Sequence, residues 1–193
     1  MWKPFVVLIL CVCGTLVTST AGAVSFETRD FDALAAEADQ VVLGTAVATI
    51  SRRTGTREIV TDYRFNNLEI VKGTVLTTSL TLTMLGGTVG TDTLTVAGVP
   101  TFQKGVRYLV FIAGNGTVMF PLVGGQQGIF QIRKEASTGI SRVHDYAGRA
   151  ATRLPRGKAH DLVDHLDVDA GEPLTAAVFV DAIRAKVAQR NAK

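Results

Sequence analysis

Ile59-Val60-Thr61-Asp62-Tyr63-Arg64-Phe65-Asn66-Asn67-Leu68-Glu69-Ile70-Val71 is the stretch on which the fold turns. β-branched and aromatic residues dominate it, and it is about twice the length of an ordinary strand. A strand this long suits a sheet that curls. Its apolar phase slips: Tyr63 and Phe65 share one face, while Leu68 and Ile70 continue on the opposite parity. One extra residue at Asn66-Asn67 would return all four to one face, so a β-bulge is expected there.

Upstream, Gln40 to Ile50 is a β-branched run with Gly44 inside it, where a strand bends or lets another backbone come close. Arg52 to Arg57 reads as the polar hairpin connection between the two strands. Before them, Asp30 to Asp39 offers a capping Asp, acidic first-turn residues and Phe31, Leu34, Ala35 and Ala38 at helical spacing. That is a short amphipathic helix.

Downstream, Lys72-Gly73 turns the chain, and Leu80, Leu82 and Met84 alternate with Ser79, Thr81 and Thr83 as a half-buried strand does. After the glycine-rich turn Gly86 to Gly90, Thr91 to Val96 alternates again. Tyr108 to Ile112 is continuously apolar, as expected of a strand covered on both faces and central to the core. Val118 to Val123 and Ile129 to Ile132 read as two further strands across Gly124-Gly125-Gln126-Gln127-Gly128. A last hairpin around Ser137-Thr138-Gly139 would place Ile140 and Val143 on the sheet. Near the end, Thr175 caps a predicted helix carrying Val178, Phe179, Ala182, Ile183 and Val187 on one side.

At the other end of the chain, Lys3, the apolar run from Phe5 and the closing Ala21-Gly22-Ala23 form the three parts of an export signal, with cleavage expected after Ala23. Phe5 to Val17 falls short of the roughly 20 apolar residues that span a bilayer, so no stable membrane span is expected after cleavage. Cys11 and Cys13 follow Leu10 and Val12 rather than small residues, which argues against a lipid-modified cysteine. Both cysteines leave with the signal. The predicted organisation is a signal over 1–23, a β-barrel domain with its helix over 24–146, and a polar connection with the carboxy-terminal helix over 147–193.

The mature chain carries 19 basic and 17 acidic residues, too even a balance to draw nucleic acid or anionic lipid by field alone. Tyr63-Arg64-Phe65 is the one basic-aromatic triplet, and core packing accounts for its rings. His160 and His165 stand five apart, missing the i, i+4 face of a helical zinc pair, although Asp161, Asp164, Asp167 and Asp169 lie close. His144-Asp145 has no G-x-S-x-G serine to serve. The glycine-rich turns lack the Lys-Ser/Thr ending of a phosphate loop. Asn115-Gly116-Thr117 fits the glycosylation pattern. No catalytic, metal or cofactor residue is assigned, and no cofactor is expected.

Ala38-Asp39-Gln40-Val41-Val42-Leu43-Gly44, followed by Leu68-Glu69-Ile70-Val71-Lys72-Gly73, resembles uncharacterised secreted bacterial proteins, some of which accompany matrixin-type zinc proteases. The order "A-D-x-V-V-x-G" then "V-x-G" is also similar to the amino-terminal barrel of netrin-like domains and tissue inhibitors of metalloproteinases, over roughly Ala38 to Ile132. The resemblance implies an OB-like barrel and binding to a protease or other protein. Those inhibitors chelate the protease zinc with an amino-terminal Cys, whereas this mature chain is expected to start Val24-Ser25-Phe26, so no inhibitory residue carries over.

The expected fold is therefore mainly β: a small curled OB-like barrel with a short amino-terminal helix and a carboxy-terminal helix packed on it. The expected function is that of a secreted or periplasmic, non-enzymatic module that binds a protein partner such as a secreted protease. A metal-dependent or other hydrolase using His144, His160 or His165, and a structural envelope protein, are the alternatives.

Overall fold

Asp30 sets the first element: its side chain accepts the Ala33 N–H at 2.7 Å, satisfying a donor left over at the helix start, and α1 (Phe31–Glu37) follows. The computed structural model describes residues 27–154 and 171–192; the expected signal and His160 and His165 lie outside them. Eight strands come next: β1 (Gln40–Arg53), β2 (Ile59–Lys72), β3 (Leu80–Leu85), β4 (Gly87–Val89), β5 (Asp92–Leu94), β6 (Arg107–Ile112), β7 (Ile129–Lys134) and β8 (Ser141–His144). Thr175 then caps α2 (Ala176–Asn191) by accepting from the Val178 N–H. The protein is mainly β.

Six strands form one antiparallel sheet in the order β3-β2-β1-β6-β7-β8, and β4 pairs only with β5. No pairing joins β3 to β8 among the described residues. β1 and β6 lie at the centre, and their alternate residues feed two cores. Val41, Leu43, Leu109 and Phe111 point to one face, where α1 and α2 pack with Phe31, Leu34, Phe179, Val180 and Ile183. Val42, Ala46, Tyr108, Val110 and Ile112 point to the other, joined by Tyr63, Phe65, Leu82, Met84 and Phe102. A strand clothed on both faces needs apolar residues at every position, which is why Tyr108 to Ile112 reads as an unbroken run.

The long β2 is bulged as its phase requires. Leu43 pairs with Glu69 but Thr45 with Asn66, so β2 carries one extra residue there, and Asn67 takes a left-handed φ of 53°. Tyr63, Phe65, Leu68 and Ile70 consequently all pack on the second core, while Val71 turns to the first. Two more register shifts, near Val41 and near Ala46, add to the curl. Inside it, Phe102 stands edge-on to Tyr63, Phe65 and Tyr108, with ring centroids 5.2, 5.0 and 5.0 Å away. Each such pair contributes about 0.5–1.5 kcal/mol beyond its buried area.

Three expectations change. Val118 to Val123 is not a strand: Gly114 and Gly116 turn the chain at positive φ, Pro121 offers no donor, and only Leu122 bridges to Ile112. The supposed turn Gly86 to Gly90 supplies β4 itself, while Thr91 to Val96 shrinks to β5. Gly87 lies so close to the sheet that a Cβ would stand 2.3 Å from Thr61 Oγ1 and 2.5 Å from Ser51 Oγ. On α2, Val178 faces outward and Val180 takes the buried place, because the inward stripe runs through Phe179, Val180 and Ile183. Within the polar connection after Ala147, Ala151 is fully buried beside β8.

Candidate functional site

His144 ends β8, half-buried, with its Nδ1 enclosed and without a hydrogen-bond partner. Burial, and then the neighbouring positive charge of Arg133, push its pKa below the ordinary 6.5, so the ring is neutral at pH 7. Asp145 does not orient it. One carboxylate oxygen accepts the Arg149 N–H at 2.8 Å and the other accepts Arg149 Nε at 2.6 Å, closing a turn within the chain. With its carboxylate committed to Arg149, the His144-Asp145 pair lacks the base-orienter geometry that nucleophilic catalysis requires. Among the described residues, no group of three or more His, Cys, Asp or Glu side chains is placed to hold a metal ion.

A second feature lies between the helices, where a cleft of 510 Å³ is lined by Asp32, Lys72, Lys186 and Arg190 among others. Two of its lining cations, Lys72 and Lys186, already have partners within the protein. Lys72 Nζ donates to the carbonyls of Ala35 at 2.7 Å, Ala36 at 3.3 Å and Ala38 at 2.6 Å, the groups left unpaired at the end of α1. Lys186 pairs with Asp32 at 2.9 Å and ties α2 to α1. Nothing in the sequence distinguishes Lys72 from a turn lysine; its role appears only once β2 brings it under the helix.

The third feature is the end of the sheet where β1 starts, and it is the candidate site. Two loops meet there, residues 73–79 and 113–121, around a cleft of 550 Å³ lined by Val75, Leu76, Leu80, Ile112, Asn115 and Thr117, with Asp39 and Gln40 at its base. Both loops are anchored where β1 starts. Asp39 Oδ2 accepts the Gly114 N–H at 2.8 Å, and Gln40 Nε2 donates to the Thr74 carbonyl at 2.7 Å. Asn115 Nδ2 reaches the Thr81 carbonyl at 3.1 Å. On these fixed loops stand apolar side chains that the fold does not bury: Leu76 is 93 % exposed, Val118 50 % and Met119 42 %. Leu76 is visible in the sequence as a large apolar residue beside Val75 in a Thr-rich turn; the meeting of its loop with Asn115 and Thr117 is not.

No protein-family model matches the chain, and no curated protein or solved structure matches it either.

Proposed function

We propose that this protein is an exported, non-enzymatic binding module whose curled, OB-like barrel presents the loops around Asp39 to a protein partner such as a secreted protease. The observation that carries the reading is that Leu76, Val118 and Met119 are large apolar side chains left in water on two loops that are nevertheless pinned where β1 starts. Loops that are apolar and already positioned lose little entropy on binding and gain from desolvation, which is the economy of a protein interface. The barrel reading rests on β1 pairing antiparallel with both β2 and β6 while its bulges curl the sheet around the Tyr63, Phe65, Phe102 and Tyr108 rings. The commitment of Asp145 to Arg149 speaks against the hydrolase alternative at His144.

The test is affinity capture from the exported fraction of the source cells, run in parallel with wild type and with Leu76→Glu, with mass spectrometry of captured proteins and bound metal. One protein held by wild type and lost with the variant is the expected outcome. Stoichiometric zinc on the chain with nothing captured overturns the proposal and returns attention to the histidines.

A further inference from the structure

The carbonyl of Thr81 is used by the Asn115 side chain and so points away from β2, whereas the N–H of Gly86 donates to the Ile59 carbonyl at 2.7 Å and points toward it. Backbone direction alternates along a strand. Leu80, Leu82 and Met84 therefore bond to β2, and Thr81, Thr83 and Leu85 direct their N–H and C=O groups outward. No described strand pairs with that side of β3, and apart from the Asn115 contact these outward groups have no hydrogen-bond partner among the described residues.

Natural sheet edges are ordinarily guarded by lysine, proline, a bulge or a covering segment. Among the described residues β3 has none of these beyond Thr81, whose carbonyl the Asn115 side chain covers. The sequence holds no charged residue and no proline between Lys72 and Asp92, and the β2–β3 register runs from Val60–Leu85 to Phe65–Leu80 without a shift. The opposite edge is guarded: the Val143 N–H donates to the Leu174 carbonyl, and its own carbonyl accepts from Ala151, each at 2.9 Å.

We infer that β3 is a dimerisation edge that pairs antiparallel with β3 of a second copy about a two-fold axis at Thr83. The register is self-complementary. Thr83 faces Thr83 of the partner subunit, Thr81 faces Leu85 of the partner subunit, and each outward-pointing residue meets another of the same parity, giving about four inter-chain hydrogen bonds besides the Thr81 carbonyls that Asn115 holds. Every facing pair is uncharged, and Thr–Thr pairs are favourable across strands. A foreign strand could satisfy the same backbone groups, but the two-fold match of parity and neutrality favours the chain itself. This inference does not rest on the binding role proposed for the loops around Asp39, although Asn115 of one of them touches the edge at Thr81.

The test is sedimentation velocity over a concentration series on protein purified after expression of the full 193-residue sequence, with amide hydrogen exchange at the two ends of the series. A dimer is expected, in which the amides of Thr83 and Leu85 exchange slowly and become fast on dilution while those of Leu82 and Met84 stay slow throughout. Thr83→Lys, which sets two like charges on the axis, should shift the protein to monomer, and Thr83→Val should leave the dimer. A monomer at every concentration, fast exchange at Thr83 and Leu85 in the concentrated sample, or a Thr83→Lys variant that still dimerises overturns the inference. Slow exchange at Thr83 in a monomer that retains a co-purified peptide assigns the edge to a foreign strand instead, and also overturns it.

Discussion

At β8 the outward backbone groups of Val143 are taken up by Leu174 and Ala151, and α2 follows at once from Thr175. At β3 the corresponding groups of Thr83 and Leu85 meet no other strand, although the side chains on their inner face are buried as deeply. The difference shows that burial of side chains and satisfaction of backbone are separate problems in a sheet. Leu80, Leu82 and Met84 solve the first for β3, and nothing in the described chain solves the second. At β8 one returning segment solves both, since Ala151 fills the core while its N–H closes the edge.

The comparison is broken most severely at Phe179, which is fully buried against Phe130 and Phe31 at ring distances of 4.8 and 5.6 Å. Phe179→Ala should cost about 3–5 kcal/mol in a denaturant titration. It should also release the Val143 amide to exchange well before those of Leu82 and Met84. Equal release of both strands would mean that α2 does not specifically guard the β8 edge. A smaller loss, about 1–3 kcal/mol, is expected for Asp145→Ala, because the part-buried N–H of Arg149 loses its acceptor and the turn that leads the chain back along β8 is loosened. Smaller again is Thr83→Lys, which in the monomer gives up only the bond from Thr83 Oγ1 to Asp62, worth about 0.5–1.5 kcal/mol. Thermal melts of the dilute variant check this, and a much larger loss would mean that β3 is not a free edge.

The smallest effect concerns pH. Burial holds the His144 pKa below 6.5, so an unfolded chain takes up a proton there while the fold still keeps the ring neutral. Stability should therefore decline as pH falls below about 6.5 and level off once the folded ring is itself protonated. Asp62, held below its ordinary 3.8 mainly by its hydrogen bond from Arg52, keeps its contribution through that range and loses it only as pH falls below 3.8. His144→Gln should remove the upper decline and leave the lower one, as read from unfolding midpoints across a pH series. An unchanged upper slope would place its origin elsewhere.

Much of the fold was legible in residue pattern. The period of two in Leu80 to Met84, the caps at Asp30 and Thr175 and the phase slip at Asn66-Asn67 are local signals, and each corresponds to a local structure with its own hydrogen bonds. Where the reading failed, the deciding feature was either a local turn or the position of another element. Val118 to Val123 has strand composition, but the glycines before it turn it away from the ladder. Val178 and Val180 are equally apolar, and only the position of the sheet under α2 decides which one is buried. The candidate site was less legible still, because it is made where two loops some 40 residues apart are drawn to the start of β1 by Asp39 and Gln40. The cover over β8 depends in the same way on Leu174 returning to a strand far earlier in the chain.

The lysine under α1 also makes the molecule its own gauge. With three carbonyls around its ammonium and a pKa lowered chiefly by burial, Lys72 is shielded from amine-directed acylation while Lys104, Lys134 and Lys186 project into solvent or a surface ion pair. Among the described lysines it is the one whose labelling rate should follow the undocking of α1 from the sheet, so a timed acetylation read by peptide mass would report the opening of that joint with no added probe.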